Sequence, residues 1–228
     1  MSLLKWDPVG EHKYRIGEDK PVLFPMDTTT KTWAEGVAWN GLTTVTESPS
    51  GADESKYYAN NKLYLSVRGL EEFGFSLEGY QSPKEFDQCD GQAEICTGVK
   101  ISQQRRVPFC FAYRRWIGEQ DGGMHDDYEI HIFYNATASP TEETAETINE
   151  SPEPGTMSWE CSTIPVEVPG YEPTSRCVIK ASEVPEAKLK EIEEAIWGRD
   201  ADESQSITEI KPHVLYPADI KEIVERKQ

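Results

Sequence analysis

The feature that most constrains this chain is alternation of residue character with a period of two over short runs. Tyr128, Ile130, Ile132 and Tyr134 alternate with Glu129, His131 and Phe133, a period of two that suits a half-buried β-strand and no helix. The same period holds over 72–80. There Phe73, Phe75 and Leu77 share one face, and Glu72, Ser76, Glu78 and Tyr80 share the other. Further strand-like runs lie at 13–17, 21–25, 36–42, 62–67, 107–117, 156–163 and 175–181. Turn signals separate them at Asp90-Gly91, Asp121-Gly122-Gly123 and Pro152 to Gly155. Many short strands at this spacing predict a mainly β fold, an antiparallel sandwich or barrel instead of a parallel α/β sheet.

Two segments switch to helical period. After Pro185, which suits a first helical turn, Leu189, Ile192 and Ile196 fall on one face before Gly198 stops the run, so a flanking α-helix is expected over about 185–197. Pro217 opens a shorter stripe of Ile220, Ile223 and Val224. A helix this short needs a surface to dock against. The polar stretch 199–213 between them reads as an extended connection. The expected division is therefore a β domain over 1–198 and a C-terminal extension with a short helix over 199–228. Residues 43–61 show no period and read as a long loop, from which Tyr57 and Tyr58 offer exposed aromatic surface to a partner. Residues 141–155 read as an acidic surface connection.

With 228 residues the chain suffices for one sizeable all-β core. It carries 41 acidic against 23 basic residues, a net charge of −18. That balance excludes tight grip on nucleic acid, which depends on Lys and Arg displacing counterions from phosphates. It leaves room for contact without grip. The N-terminal run is charged and broken by proline, unlike a signal peptide, and no apolar run approaches the length of a membrane span, so a cytoplasmic site of synthesis is expected. Of the five cysteines, Cys110 and Cys161 lie in strand-like runs and read as buried free thiols.

The chemical constellations are weak. Glu72 and Glu78 as a glycosidase pair would sit roughly 20 Å apart along a strand, too far to act on one bond, and Glu78 with Asp87 could meet only through a turn. His125, Asp126, Asp127 and His131, with Cys89 and Cys96, lack the close pairs of a zinc site and the ligand spacing of a calcium loop. Neither a nucleophile elbow nor a phosphate-cradling glycine loop occurs. Asn135-Ala136-Thr137 forms a glycosylation triplet, expected by chance in a chain read as lacking a secretory signal. The six tryptophans are dispersed, which suits core and interface roles better than a stacking platform.

Four stretches carry a resemblance. LKWDPVGEHKYRIGEDKPVLF, GVAWNGLTTVTESPSGAD, KYYANNKLYLSVRGLEEFGFSLEGYQSPKEFDQCDG and TINESPEPGTMSWECST, in that order, are similar to the major tail tube protein of long-tailed, non-contractile (siphovirus) bacteriophages. The resemblance covers residues 3 to about 198, and AWNGLTTVTESPSGA and SPKEFDQCDG are its most specific pieces.

It implies a β-sandwich or barrel subunit, without active site, cofactor or metal, that forms six-membered rings stacked into a tube. Double-stranded DNA would pass through the bore without tight binding. The implied partners are copies of the chain itself, tail tip and terminator proteins, and a tape measure protein in the lumen before ejection; no membrane is involved. The subunit would be assembled in the host cytoplasm and reside in the virion. On this reading Glu72 and Glu78 are candidate lumen-facing acids. Ser48, Asp53, Tyr57 and Tyr58 mark a candidate ring-stacking loop. The alternative from another class is an acidic β-sandwich binding module, as in a tail-tip or accessory adhesion protein; a glycoside hydrolase is the remote third.

Overall fold

The computed structural model describes residues 6, 12–51, 53–69, 71–141, 147, 154–201 and 208–226. The acidic connection expected over 141–155 therefore lies largely outside the described residues, as does the start of the N-terminal stretch of the resemblance before residue 12.

The strands run in chain order as β1 (Lys13–Pro25), β2 (Val37–Ala38), β3 (Leu42–Gly51), β4 (Glu54–Ala59), β5 (Lys62–Arg68), β6 (Glu71–Gly79), β7 (Ala93–Cys96), β8 (Val99–Ile101), β9 (Phe109–Glu119), β10 (Gly123–Ala138), β11 (Met157–Thr163), β12 (Val166–Val168), β13 (Tyr171–Thr174) and β14 (Arg176–Lys180). Helix α1 spans Glu186–Trp197 and α2 spans Pro217–Glu225. The fold is mainly β and antiparallel, with one flanking helix and one short C-terminal helix.

The main sheet is ordered β2-β1-β9-β10-β11-β6-β3, with β14 also on β10. The long strand β10 explains the branch. Residues 129–133 pair with β14, and residues 136–138 pair with β11. Between the two stretches the register on β9 shifts, and Asn135 takes a positive φ of 49°. A residue in that conformation bends a strand, and Asn tolerates it better than branched residues do. The bend lets β10 leave one layer and enter another, so that β11, β6 and β3 fold over β1, β9 and the rest of β10 as a sandwich.

Two cores result, one on each face of the central layer. Leu23, Phe109, Phe111, Tyr113 and Phe133 meet Val45, Phe75, Leu77, Trp159 and Cys161 of the facing layer. Aromatic rings fill this space: Phe75 lies 4.5 Å from Phe133, and Trp39 lies 4.6 Å from Phe86 between ring centroids. The Trp39 indole donates to the Gln81 carbonyl at 2.9 Å, which satisfies its one polar atom. On the opposite face, Val22, Phe24, Cys110, Ala112, Ile130, Ile132 and Tyr134 pack beneath Ile192, Ala195 and Ile196 of α1 and Leu215 and Ile220 of the C-terminal segment.

The expected half-buried strand over 128–136 is therefore buried on both faces along residues 130–134. Its polar-face residues Glu129 and His131 are inside the protein, not in water. The described ends of the 199–213 stretch are tied together: Arg199 and Ile210 exchange main-chain hydrogen bonds at 2.8 Å, and His213 donates to the Ala195 carbonyl. That brings α2 onto α1. The 36–42 run divides: Val37 and Ala38 pair with β1 as β2, the Trp39 N–H donates to the Pro21 carbonyl at 2.9 Å, and Leu42 opens β3.

Candidate assembly surfaces

The layer β3-β6-β11 has one greasy face and one wet one, set by the pleat. Inward rows place Val45 beside Leu77 and Trp159, and Phe75 beside Cys161. Outward rows place Thr44 beside Glu78 and Ser158, Thr46 beside Ser76 and Glu160, and Ser50 beside Glu72. Glu72, Glu78 and Glu160 are exposed. The rest of these rows are serines and threonines, with no lysine, arginine or large apolar side chain. Glu72 and Glu78 thus occupy one solvent face, as their spacing predicts. Glu160 joins them from β11; its place beside Ser76 comes from strand pairing between distant segments, which alternation within one segment cannot reveal. Strand β3 forms an outer edge of this sheet, pairing among the described residues with β6 alone.

The segment expected to be a loop over 43–61 is largely strand. Ser48 lies within β3, opposite Gly74. Asp53 sits at a root where its carbonyl accepts the Gly69 N–H at 3.0 Å. Tyr57 and Tyr58 belong to a hairpin, β4 against β5, in which every residue is exposed. Its turn is Asn60-Asn61, with φ of 50° and 59°. Two successive left-handed residues match the tight hairpin turn whose twist suits antiparallel strands, and asparagine is among the few residues that adopt it readily. That dipeptide between KYY and KLYL was the signal for a hairpin.

This arm has sides. Tyr57 opposes Leu65 and Ser55 opposes Val67, which makes one face apolar. Lys56 opposes Ser66 and Glu54 opposes Arg68 on the other, where Lys56 and Glu54 also pair at 3.3 Å. Tyr58 and Tyr64 near the tip are 69% and 78% exposed. Isolated two-stranded hairpins are marginal in water, and this one has only its own strand pairing to hold it.

Beneath the arm's root, Glu47 takes an inward position on β3 and gathers a cluster that sequence reading missed. Its Oε1 lies 2.8 Å from His131 Nδ1 and accepts the Tyr113 hydroxyl at 2.9 Å; its Oε2 lies 2.7 Å from Arg176 Nη1. His131 stacks on Tyr113 and places Nε2 3.5 Å from Glu129, which Arg15 also approaches at 3.3 Å. Burial works against the Glu47 charge, yet His131, Tyr113 and Arg176 outweigh it and hold the carboxyl down to about 2. The cluster joins β3 to β9, β10 and β14, closing the sandwich where the arm begins. Such long-range polar contacts leave no local pattern in a sequence.

The residues weighed as metal ligands do not converge. His125 packs on Trp116 and His131 is in the Glu47 cluster. Among the described residues no group of three or more His, Cys, Asp or Glu is placed to hold a metal ion. Cys89 and Cys110 are buried free thiols that burial pushes up to about 12, and burial raises Cys161 as well, so none is a poised nucleophile. No described helix is long and apolar enough to cross a membrane.

No family model matches the chain, and no curated protein matches it. Among solved structures it is similar to a chain from the cryo-EM structure of an extracellular contractile injection system, the PVC sheath–tube complex in its extended state. That likeness has a TM-score of 0.32 and 12% identity, over 71% of this chain and 89% of the other.

Proposed function

We propose that this protein is a tail tube subunit: a structural component that assembles with copies of itself into stacked six-membered rings around a channel for double-stranded DNA. The observation that carries the reading is the amphipathic arm over residues 54–68, which projects from the sandwich with every residue exposed. Exposed apolar surface of this kind suits docking on a partner. The edge of β3 adds a second means of joining copies: beyond Val45, whose N–H donates to Glu18 at 3.2 Å, its outward N–H and C=O groups are a template for another strand.

In this reading β3, β6 and β11 supply the bore lining. Glu72, Glu78 and Glu160, repeated around a ring, make the wall mildly negative, and serines and threonines fill the gaps. A duplex carries about one negative charge per 1.7 Å of its axis, while exposed charges are screened beyond about 8 Å at physiological salt. Such a wall repels DNA only on close approach: it prevents sticking and does not block passage. Ser48 and Asp53 hold the arm's root, and Tyr57 and Tyr58 act in the contact between rings. Tail tip, terminator and tape measure proteins complete the assembly in the host cytoplasm, and the finished tube belongs to the virion.

Electron microscopy of concentrated protein supplied with its tail-initiating partners tests the proposal. Hollow cylinders are expected. Dispersed monomers that bind glycans would instead establish the adhesion-module alternative.

A further inference from the structure

A second hairpin, β7 against β8, carries its own unpartnered apolar face. Ala93 opposes Ile101, and Glu94 opposes Lys100 on the other side. The charged side faces the body, where Lys84 reaches Glu94 at 2.7 Å and Lys100 reaches Asp87 at 2.5 Å. These ion pairs hold the hairpin down and turn Ile95, Val99 and Ile101 outward, at 62%, 45% and 39% exposure.

The two hairpins stand at opposite ends of one strand. The arm leaves β3 at Gly51 and returns into β6 at Glu71, its paired residue; β7-β8 follows the other end of β6, past Gly79. Nine residues of strand separate these ends by about 26 Å. Charge points the same way. Lys56, Lys62 and Arg68 outnumber Glu54 in the arm, and residues 84–106 carry as many basic as acidic residues, in a chain of net charge −18. The two hairpins are thus where one copy of this acidic chain meets another with least repulsion.

We propose that the Tyr57, Leu65 and Val67 face of the arm seats on the Ile95, Val99 and Ile101 face of a second copy, head to tail. The inference rests on the tube reading and names the acceptor for the arm. Because donor and acceptor are different surfaces at opposite ends, each copy gives one contact and receives one. The contact is heterologous and propagates without closing on a pair.

Cys96, exposed at the tip of β7-β8, supplies a chemical probe. Tyr64→Cys puts a second thiol on the arm without touching the proposed face. Under assembling conditions a short bis-maleimide should give a ladder of dimers, trimers and longer chains on a denaturing gel. Tyr64→Cys combined with Cys96→Ser should give monomer. Ile101→Asp should raise the protein concentration needed for assembly at least about tenfold, the effect of losing one buried isoleucine contact. Dimers that persist without Cys96 would mean arm-to-arm pairing and overturn the inference. Hollow tubes without a ladder overturn it and leave the tube reading standing. A ladder from particles that are not hollow does the reverse, and protein that neither links nor assembles overturns both.

Discussion

Glu47 shows how one side chain can serve two layers. Its carboxylate sits between a histidine, a tyrosine and an arginine from three strands of the facing layer, and its pKa is depressed to about 2 from an ordinary 4.5. A group whose folded pKa is depressed adds stability above its unfolded value, and that stability is lost as pH falls through the folded one. Glu47→Gln should therefore lower stability at pH 7 by about 2 kcal/mol, allowing for partial solvent screening. The gap between variant and parent should close as pH drops from 4.5 towards 2. Urea unfolding at several pH values measures it; a gap independent of pH would show that Glu47 acts by packing, not charge. None of this was legible in the residue's neighbourhood, TVTESPS, where a glutamate among hydroxyls reads as solvated surface. What places it inside is the pairing of Glu47 with Phe75, a contact between segments far apart in the chain.

At the scale of elements, period two located most of the long strands and the 3.6 period located both helices, because each face there meets a uniform environment. Alternation misleads where the environment changes. Along β10, Glu129 and His131 look like a wet face, but a second layer covers them, with Arg15 reaching Glu129 and the Glu47 carboxylate lying against His131. The arm was half legible, since 62–67 reads as a strand, and its first half, 54–59, was missed for the opposite reason. With both faces in water its strands need no strict alternation, and only Asn60-Asn61 marks the turn. Replacing residues 54–68 with a two-residue turn should leave a folded subunit whose thermal midpoint falls by no more than a few degrees, because the excised strands pair with each other. The same variant should fail to form tubes. Calorimetry and electron microscopy check the two halves separately, and normal tubes would refute the arm's role. Cutting at 48–56 would be a poorer test, since Ser48 to Gly51 are rungs of the β3-β6 ladder.

The whole molecule has a polar outward layer, a middle layer buried on both sides, and a helical cover. If the outward layer lines a channel, its charge is a tunable property of the assembled tube. Glu72→Lys with Glu78→Lys should leave folding intact, since both side chains are solvent-facing, and should convert a wall that releases DNA into one that holds it. Retention of duplex DNA by variant tubes at about 50 mM salt, lost by about 200 mM, is the expected signature of phosphate contacts. Equal retention by the parent would place those acids away from the bore.

The bend at Asn135 has a mechanical meaning as well. One continuous backbone belongs to both layers of the sandwich, so neither layer can slide over the other without rupturing main-chain bonds on β10. The sandwich between the two hairpins is thereby tied into one body by a single strand. Were copies stacked as proposed, a load passing between them would meet that covalent tie before any hydrogen-bonded seam.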